Sequence, residues 1–168
     1  MGISKIYFDM DGVLADFGRG VRELCGMEPP PQDGSSPELD DEMWARIRDA
    51  GHFYDRLELM PGARELFDDI RKKYGNRCEI LTAVPKEKRK IETAAQDKTN
   101  WVRRLLSPDI QINVCLRAEK LQKCTGGDAV LIDDLRKNIH EWEEAGGTGI
   151  LYVDAQQARK ELEGLGLL

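Results

Sequence analysis

Two aspartates, Asp9 and Asp11, directly follow a short apolar run in the stretch KIYFDMDGVLADF. Two more, Asp133 and Asp134, end the apolar run AVLIDD much later in the chain. Carboxylates at the ends of parallel strands meet at one edge of the sheet, where they repel one another unless a cation joins them. A hard divalent cation meets that need, and Mg2+ commonly takes carboxylates together with water and substrate phosphate. The DMDG segment alone also suits a strand and turn, but the second acidic strand end favours a metal and phosphate site.

Two further residues could donate hydrogen bonds to a bound phosphate. Thr82 ends the run CEILTA, where its hydroxyl can reach an oxyanion. Lys98 precedes Trp101 by three residues and Val102 by four, which places it on the apolar stripe of a helix. A buried lysine ammonium there needs an anionic partner, either phosphate or the aspartates. The alternative is that the aliphatic part of the side chain runs along the edge of the core and the ammonium reaches water.

Four other charged or titratable residues lie near the predicted site. Lys86, Arg117 and Lys120 follow strand ends, and we expect them to be solvated loop charges. His52 lies where the chain returns from a long segment without strands, and the sequence leaves a site role, a packing role and a surface role open.

The elements that must position these residues alternate along the chain. Five apolar runs predict strands at 5–9, 78–83, 111–116, 129–134 and 149–154. Their nearly continuous apolar character is typical of strands buried on both faces of a parallel sheet. Amphipathic stretches predict helices at 61–75, 97–106 and 135–147, and a polar stretch capped by Asp154 predicts another at 154–164. Alternating strands and helices predict an open α/β sheet with right-handed crossovers.

One segment interrupts this alternation. Between Ala15 and about Met60 no strand run occurs, and two helical stripes flank the turn-rich stretch EPPPQDGSSPE. A βα loop usually takes only a few residues, so this length predicts a separate unit. We expect residues 1–15 and 61–168 to form an α/β core, and residues 16–60 to form a small helical cap over the end of the first strand. Asp16 is predicted to be the N-cap of the first cap helix.

Composition limits the classes of partner. With 168 residues and a hydrophobic fraction of 40%, the chain is long enough to bury one core. A net charge of −6 argues against a nucleic-acid polymer as partner, and no apolar run approaches the ~20 residues of a membrane span. The four cysteines form no C-x-x-C pair, which favours reduced thiols and a cytoplasmic location. A small phosphorylated substrate remains compatible with all of this.

The four motifs together resemble a known superfamily. DMDGVL is similar to the first motif of the haloacid dehalogenase-like (HAD) hydrolases, and Thr82, Lys98 and Asp133-Asp134 fit the second, third and fourth motifs in order. The resemblance implies a three-layer Rossmannoid α/β fold with a parallel sheet and a C1-type helical cap. Within the superfamily, DMDGVLADF, FYDRLELMPGARELFDDI, DKTNWVRRLL and AVLIDD resemble the 5'(3')-deoxyribonucleotidases.

The resemblance also implies roles. Asp9 is the expected nucleophile that forms an aspartyl-phosphate, and Asp11 the expected general acid and base. Mg2+ is expected on Asp9, the backbone carbonyl of Asp11 and Asp133, with Asp134 assisting. Thr82 and Lys98 are expected to hold the phosphoryl oxygens.

Substrate identity stays open at this point. Phe17 corresponds to an aromatic residue of the family's base pocket, but it also opens an apolar helix stripe, so a packing role is equally compatible. The cap is shorter and poorer in aromatic residues than the family pattern, and the second motif is LTAVPK. We therefore expect a Mg2+-dependent nucleotidase, with a phosphatase for another small ester such as a sugar phosphate as the alternative. A non-catalytic phospholigand-binding module is the third hypothesis, and a homodimer is possible.

Overall fold

The computed structural model describes residues 2–168, and its centre is a parallel sheet of five strands in the order β3-β2-β1-β4-β5. The strands span Lys5–Phe8 (β1), Cys78–Ala83 (β2), Ile112–Cys115 (β3), Ala129–Asp133 (β4) and Thr148–Leu151 (β5). Because β1 is central, its carboxyl end lies between those of β2 and β4. The register pairs Phe8 with Ile80 on one side and with Ile132 on the other. The residues that follow these three strands therefore meet at one edge.

Helices cover both faces of the sheet, which confirms the predicted three-layer α/β architecture. The α-helices span Phe17–Cys25 (α1), Pro37–Ala50 (α2), Ala63–Tyr74 (α3), Ala94–Leu105 (α4), Arg136–Glu144 (α5) and Ala155–Gly164 (α6). Short 3₁₀ turns occupy Phe53–Arg56, Gly75–Arg77, Glu87–Arg89 and Arg117–Lys123. The helix α3 shows how sequence sets these bounds, since its apolar stripe is buried and Gly75 ends it with a left-handed φ of 57°.

Several predicted bounds differ by a few residues. The strand β1 ends at Phe8, so Asp9 follows the strand instead of completing it. The helix α4 begins at Ala94, three residues before the predicted start. The helix α5 begins only at Arg136, because the amide of Leu135 donates to the carboxylate of Asp133 and keeps Leu135 extended. These shifts leave every motif residue near its expected strand end or helix.

The segment between β1 and α3 is helical, with α1, α2 and the turn Phe53–Arg56. Its two ends pair with each other in one short antiparallel bridge: the amide of Asp16 donates to the carbonyl of Glu58 at 2.8 Å, and the amide of Met60 donates to the carbonyl of Leu14 at 2.7 Å. Asp16 also accepts from the amide of Arg19, which confirms its predicted N-cap role. We refer to residues 17–56 as the insert. The division into a 16–60 cap and a core of 1–15 and 61–168 stays a prediction.

None of the helices in residues 2–168 has the length and apolar character that crossing a bilayer requires.

Candidate active site

The carboxyl ends of three neighbouring strands bring the predicted residues together. Asp9 follows β1 and donates its amide to the carbonyl of Ile132 on β4 at 2.9 Å. Thr82 lies near the end of β2 and Asp133 ends β4, and both are fully buried. A parallel sheet produces this convergence because all its strands end at the same edge.

Lys98 extends from α4 into this edge, as its position on the apolar stripe predicted. Its side chain is fully buried, and its ammonium donates to Asp11 Oδ2 at 2.8 Å, Thr82 Oγ1 at 2.9 Å and the carbonyl of Ala83 at 2.6 Å. An ammonium has three N–H groups, so these acceptors satisfy all of them. Lys98 therefore connects the acidic turn after β1 to the end of β2.

A second lysine reaches the same site, and the expectation that it would be a solvated loop charge is wrong. Lys120 is only 4% exposed, and its ammonium donates to Asp9 Oδ1 and to Asp133 Oδ2, both at 2.9 Å. The turn Arg117–Lys123 between β3 and β4 folds back over the strand ends and buries this side chain. The only feature of the sequence that indicates a site role for Lys120 is its position shortly after a strand end.

The acidic cluster has the donor set of a divalent-cation site. Asp9, Asp133 and Asp134 each offer a carboxylate oxygen, and these oxygens lie within 4.8 Å of one another. Burial and then the charge of Asp133 raise the pKa of Asp9, while Lys120 opposes the rise. Although Asp134 is exposed as a residue, the loss of water around its carboxyl and the charges of Asp133 and Asp11 raise its pKa to about 7. A cation bound among them would lower both pKa values.

Neighbouring groups fix the orientation of Asp133. Its Oδ2 accepts from Asn138 Nδ2 at 3.0 Å in addition to Lys120, and its Oδ1 accepts from the amide of Leu135 at 2.9 Å. Arg117 in turn donates to Asn138 Oδ1 at 3.0 Å, so Arg117 is also paired instead of merely solvated. Such outer contacts hold metal-binding carboxylates in one geometry.

Asp11 lies at the turn that follows β1. Its Oδ2 accepts from Lys98, whereas its Oδ1 is buried and has no hydrogen-bond partner within residues 2–168. A polar atom of this kind is costly unless a ligand or water satisfies it. Gly12 adopts a left-handed φ of 80°, and a Cβ there would lie 2.0 Å from Asp134 Oδ2. The turn thus needs glycine to let the acidic strand ends approach each other.

The insert contributes aromatic residues above this edge. Phe17 is half-buried, with ring centroids 6.1 Å from Trp44 and 5.5 Å from Phe53. These contacts establish a packing role for Phe17, while its place in a base pocket stays a prediction. Lys86 is exposed, in agreement with a solvated loop charge.

His52 links the insert to α4. Its Nδ1 lies 2.9 Å from Oδ1 of Asp97, a buried residue whose Oδ2 also accepts from Thr93 Oγ1 at 2.7 Å. The hydrogen bond with Asp97 and its charge raise the pKa of the exposed His52 imidazole. His52 thereby links the insert to the helix that carries Lys98, and the contact is ionic when the imidazole is protonated.

We expect this contact to make stability depend on pH. Because the folded-state pKa of His52 exceeds its unfolded value, the contribution is fully present below about pH 6.5 and is lost as pH rises through the raised pKa. Thermal melts should show that the difference in Tm between wild type and His52→Gln shrinks as the pH rises above about 6.5. Asp97→Asn should lose the same pH dependence. A difference independent of pH would show that the contact is not ionic.

Comparison with protein families decides the class. A family described as 5' nucleotidase, deoxy (pyrimidine), cytosolic type C matches residues 3–161. The chain belongs to this family. This membership confirms the predicted enzyme class, which is a phosphatase of the nucleotidase type. No curated protein matches the chain.

Solved structures show the same fold at low sequence identity. A hydrolase from Streptococcus pneumoniae TIGR4 is 14% identical, with a TM-score of 0.54 over 97% of this chain and 100% of that one. A dehalogenase solved as an intermediate complex is 13% identical, with a TM-score of 0.50 over 88% of this chain and 84% of that one. At these identities the likeness supports the HAD-like fold and nothing finer.

Proposed function

We propose that this nucleotidase-family enzyme is a Mg2+-dependent phosphomonoesterase for nucleoside monophosphates, deoxypyrimidine forms above all, which acts through an aspartyl-phosphate on Asp9. One observation carries the proposal: the carboxylate of Asp9 accepts from the ammonium of Lys120 and lies beside two further carboxylates at the edge where the strands end. A nucleophilic carboxylate needs neighbouring cations, because burial raises its pKa and so favours the unreactive protonated form.

The chemistry would proceed in two displacements. The carboxylate oxygen of Asp9 attacks phosphorus, the ester P–O bond breaks, and Asp11 gives its proton to the leaving alkoxide. Water then attacks phosphorus while Asp11 takes its proton, the bond between phosphorus and Asp9 breaks, and inorganic phosphate leaves. The buried and unpaired Oδ1 of Asp11 is the atom suited to carry this proton.

The residues present fit a magnesium ion. Asp9 and Asp133 would hold it through carboxylate oxygens, and Asp134 through water or a direct oxygen. The family resemblance adds the main-chain carbonyl of Asp11. Bound there, Mg2+ would supply positive charge for the phosphoryl oxygens as a Lewis acid. The protein's own part is to keep Asp133 oriented through Asn138 and Leu135 and to keep Asp9 paired with Lys120.

Phosphate binding falls to Thr82 and the two lysines. In the structure all three N–H groups of Lys98 have protein acceptors, so a phosphoryl oxygen must replace one of them. Thr82 can then donate its own hydroxyl proton to the phosphate. Lys120 has two protein acceptors within residues 2–168, which leaves it one N–H for the substrate.

A second candidate function is a phosphatase for another small ester, such as a sugar phosphate. The observation that favours it is the burial of two insert aromatics: Phe53 and Tyr54 are each 1% exposed, so packing occupies their rings. Phe17 and Trp44 remain partly exposed for contact with a nucleobase. A non-catalytic phospholigand-binding module is the weakest alternative, because both Asp9 and Asp11 are present at the site.

One assay separates these functions. Phosphate release is measured from a panel of 5'- and 3'-nucleotides, deoxynucleotides and sugar phosphates, with Mg2+ and with a chelator. Preference for deoxynucleotides and loss of turnover with the chelator are the expected results. Turnover of sugar phosphates alone would replace the first candidate by the second, and absence of turnover on every ester would leave the binding module.

Two other expectations accompany this function. The cytosolic type named in the family description supports the cytoplasmic location that the reduced cysteines suggested. A homodimer stays a prediction.

A further inference from the structure

The ammonium of Lys98 has a fourth neighbour besides its three hydrogen-bond acceptors. It lies 4.5 Å from the ring centroid of Tyr54, which comes from the insert and not from the sheet or α4. A cation over an aromatic face is attracted by the electron-rich ring, and most strongly where water is excluded. Both side chains are essentially inaccessible to solvent, so the contact is a desolvated one.

The Tyr54 ring is held firmly in this place. It packs edge-on against Phe53 with centroids 5.3 Å apart, and Phe53 packs in the same way against Phe17. Phe17 contacts Trp44, and the guanidinium of Arg89 lies 6.0 Å from the Trp44 ring while it pairs with Asp41. A continuous row of four insert rings therefore runs between two cations of the α/β core, Arg89 and Lys98.

The ring is also suited to a cation. Burial and the nearby charge of Asp11 raise the pKa of the Tyr54 hydroxyl above its usual range, so the side chain stays neutral. Within residues 2–168 the Lys98 ammonium has one carboxylate partner, Asp11, whose side chain is partly exposed to solvent. The other two acceptors, a hydroxyl and a carbonyl, are uncharged.

We propose that Tyr54 is a positioning residue for phosphate binding: its ring holds the Lys98 ammonium against the strand ends, so the insert completes the phosphate site. This inference rests on the proposed function. When a phosphoryl oxygen displaces one of the three acceptors, the ring face keeps the ammonium from turning away from the substrate. Phosphate affinity should thus depend on a residue that does not touch phosphate.

Three variants test the proposal. Tyr54→Phe keeps the ring and removes the hydroxyl, whereas Tyr54→Leu keeps apolar volume and removes the ring. Tyr74→Leu is the matched control, because Tyr74 is also buried and ends helix α3 just before the start of β2, at the sheet edge opposite the site. The affinity for inorganic phosphate with Mg2+ is measured by calorimetry, together with Tm, KM and kcat.

We expect Tyr54→Leu to weaken phosphate binding about 3- to 30-fold, the range that a cation–π contact accounts for. Tyr54→Phe should bind phosphate like wild type, and Tyr74→Leu, which also loses the hydrogen bond to the carbonyl of Leu167, should lower Tm without changing phosphate affinity. In a Lys98→Met background, Tyr54→Leu should have no further effect. Wild-type affinity in Tyr54→Leu, or equal losses in Tyr54→Phe and Tyr54→Leu, would overturn the proposal. Since binding is measured apart from turnover, a wild type that binds phosphate without hydrolysing any ester would contradict the proposed function alone.

Discussion

Replacement of Asp9 by asparagine is expected to reduce phosphate release by roughly 10⁴-fold or more, as the loss of a covalent nucleophile does in other enzymes. The amide keeps the shape of the side chain but cannot attack phosphorus as an anion. The variant should stay folded, because it removes one charge from a crowded acidic cluster. Initial rates with the best substrate of the panel, measured with saturating Mg2+, give the comparison.

The matched control lies in the same stretch of sequence. Asp16→Asn makes the same chemical change at a helix N-cap, where asparagine is about as good as aspartate. It should leave both the rate and Tm close to wild type. Equal rates in Asp9→Asn and wild type would exclude Asp9 as the nucleophile.

Replacement of Lys120 by methionine should have the second largest effect. The change leaves Asp9 and Asp133 buried together without their shared ammonium, and breaking such a buried pair typically costs about 3–5 kcal/mol of unfolding free energy. Turnover should fall by about 10²- to 10³-fold, because a preorganised positive charge beside the nucleophile is lost. Urea titrations and steady-state rates measure the two effects.

Magnesium distinguishes the electrostatic loss from a packing loss. If the missing charge is the cause, Mg2+ should raise the Tm of Lys120→Met by more than it raises that of wild type. Lys86→Met, at an exposed loop position, should match wild type in both assays. A Lys120→Met variant with wild-type turnover would show that Lys120 has no part in the reaction.

The residues that meet at the edge of the sheet could be predicted from sequence, because each strand is identified by its own local run of residues. Nearly continuous apolar runs identify buried parallel strands, and parallel strands place Asp9, Thr82 and Asp133 at one edge without further information. Lys98 could be placed for a similar reason. Its spacing from Trp101 fixes the face of α4 on which it lies, and this face is buried in the structure.

Lys120 could not be placed in this way. It lies in an irregular 3₁₀ turn, where no periodicity relates its position to a buried face. Its burial follows from how the chain between β3 and β4 folds back over the strand ends, which is a tertiary feature. Which insert aromatics are buried and which are exposed is also decided by tertiary packing. Composition gives the number of rings, but only the structure shows that Tyr54 covers Lys98 while Trp44 stays partly exposed.

The central claim, a phosphoryl group carried on Asp9, can be tested directly with Asp11→Asn and p-nitrophenyl phosphate. This leaving group departs without a proton, so the first displacement should proceed, whereas hydrolysis of the phosphoenzyme lacks its base. Borohydride reduces an aspartyl-phosphate to homoserine, which peptide mass spectrometry locates in the sequence. The account predicts homoserine at position 9, dependent on substrate and Mg2+ and absent from a variant that also carries Asp9→Asn. Homoserine at another aspartate, or none while p-nitrophenol is released, would contradict it.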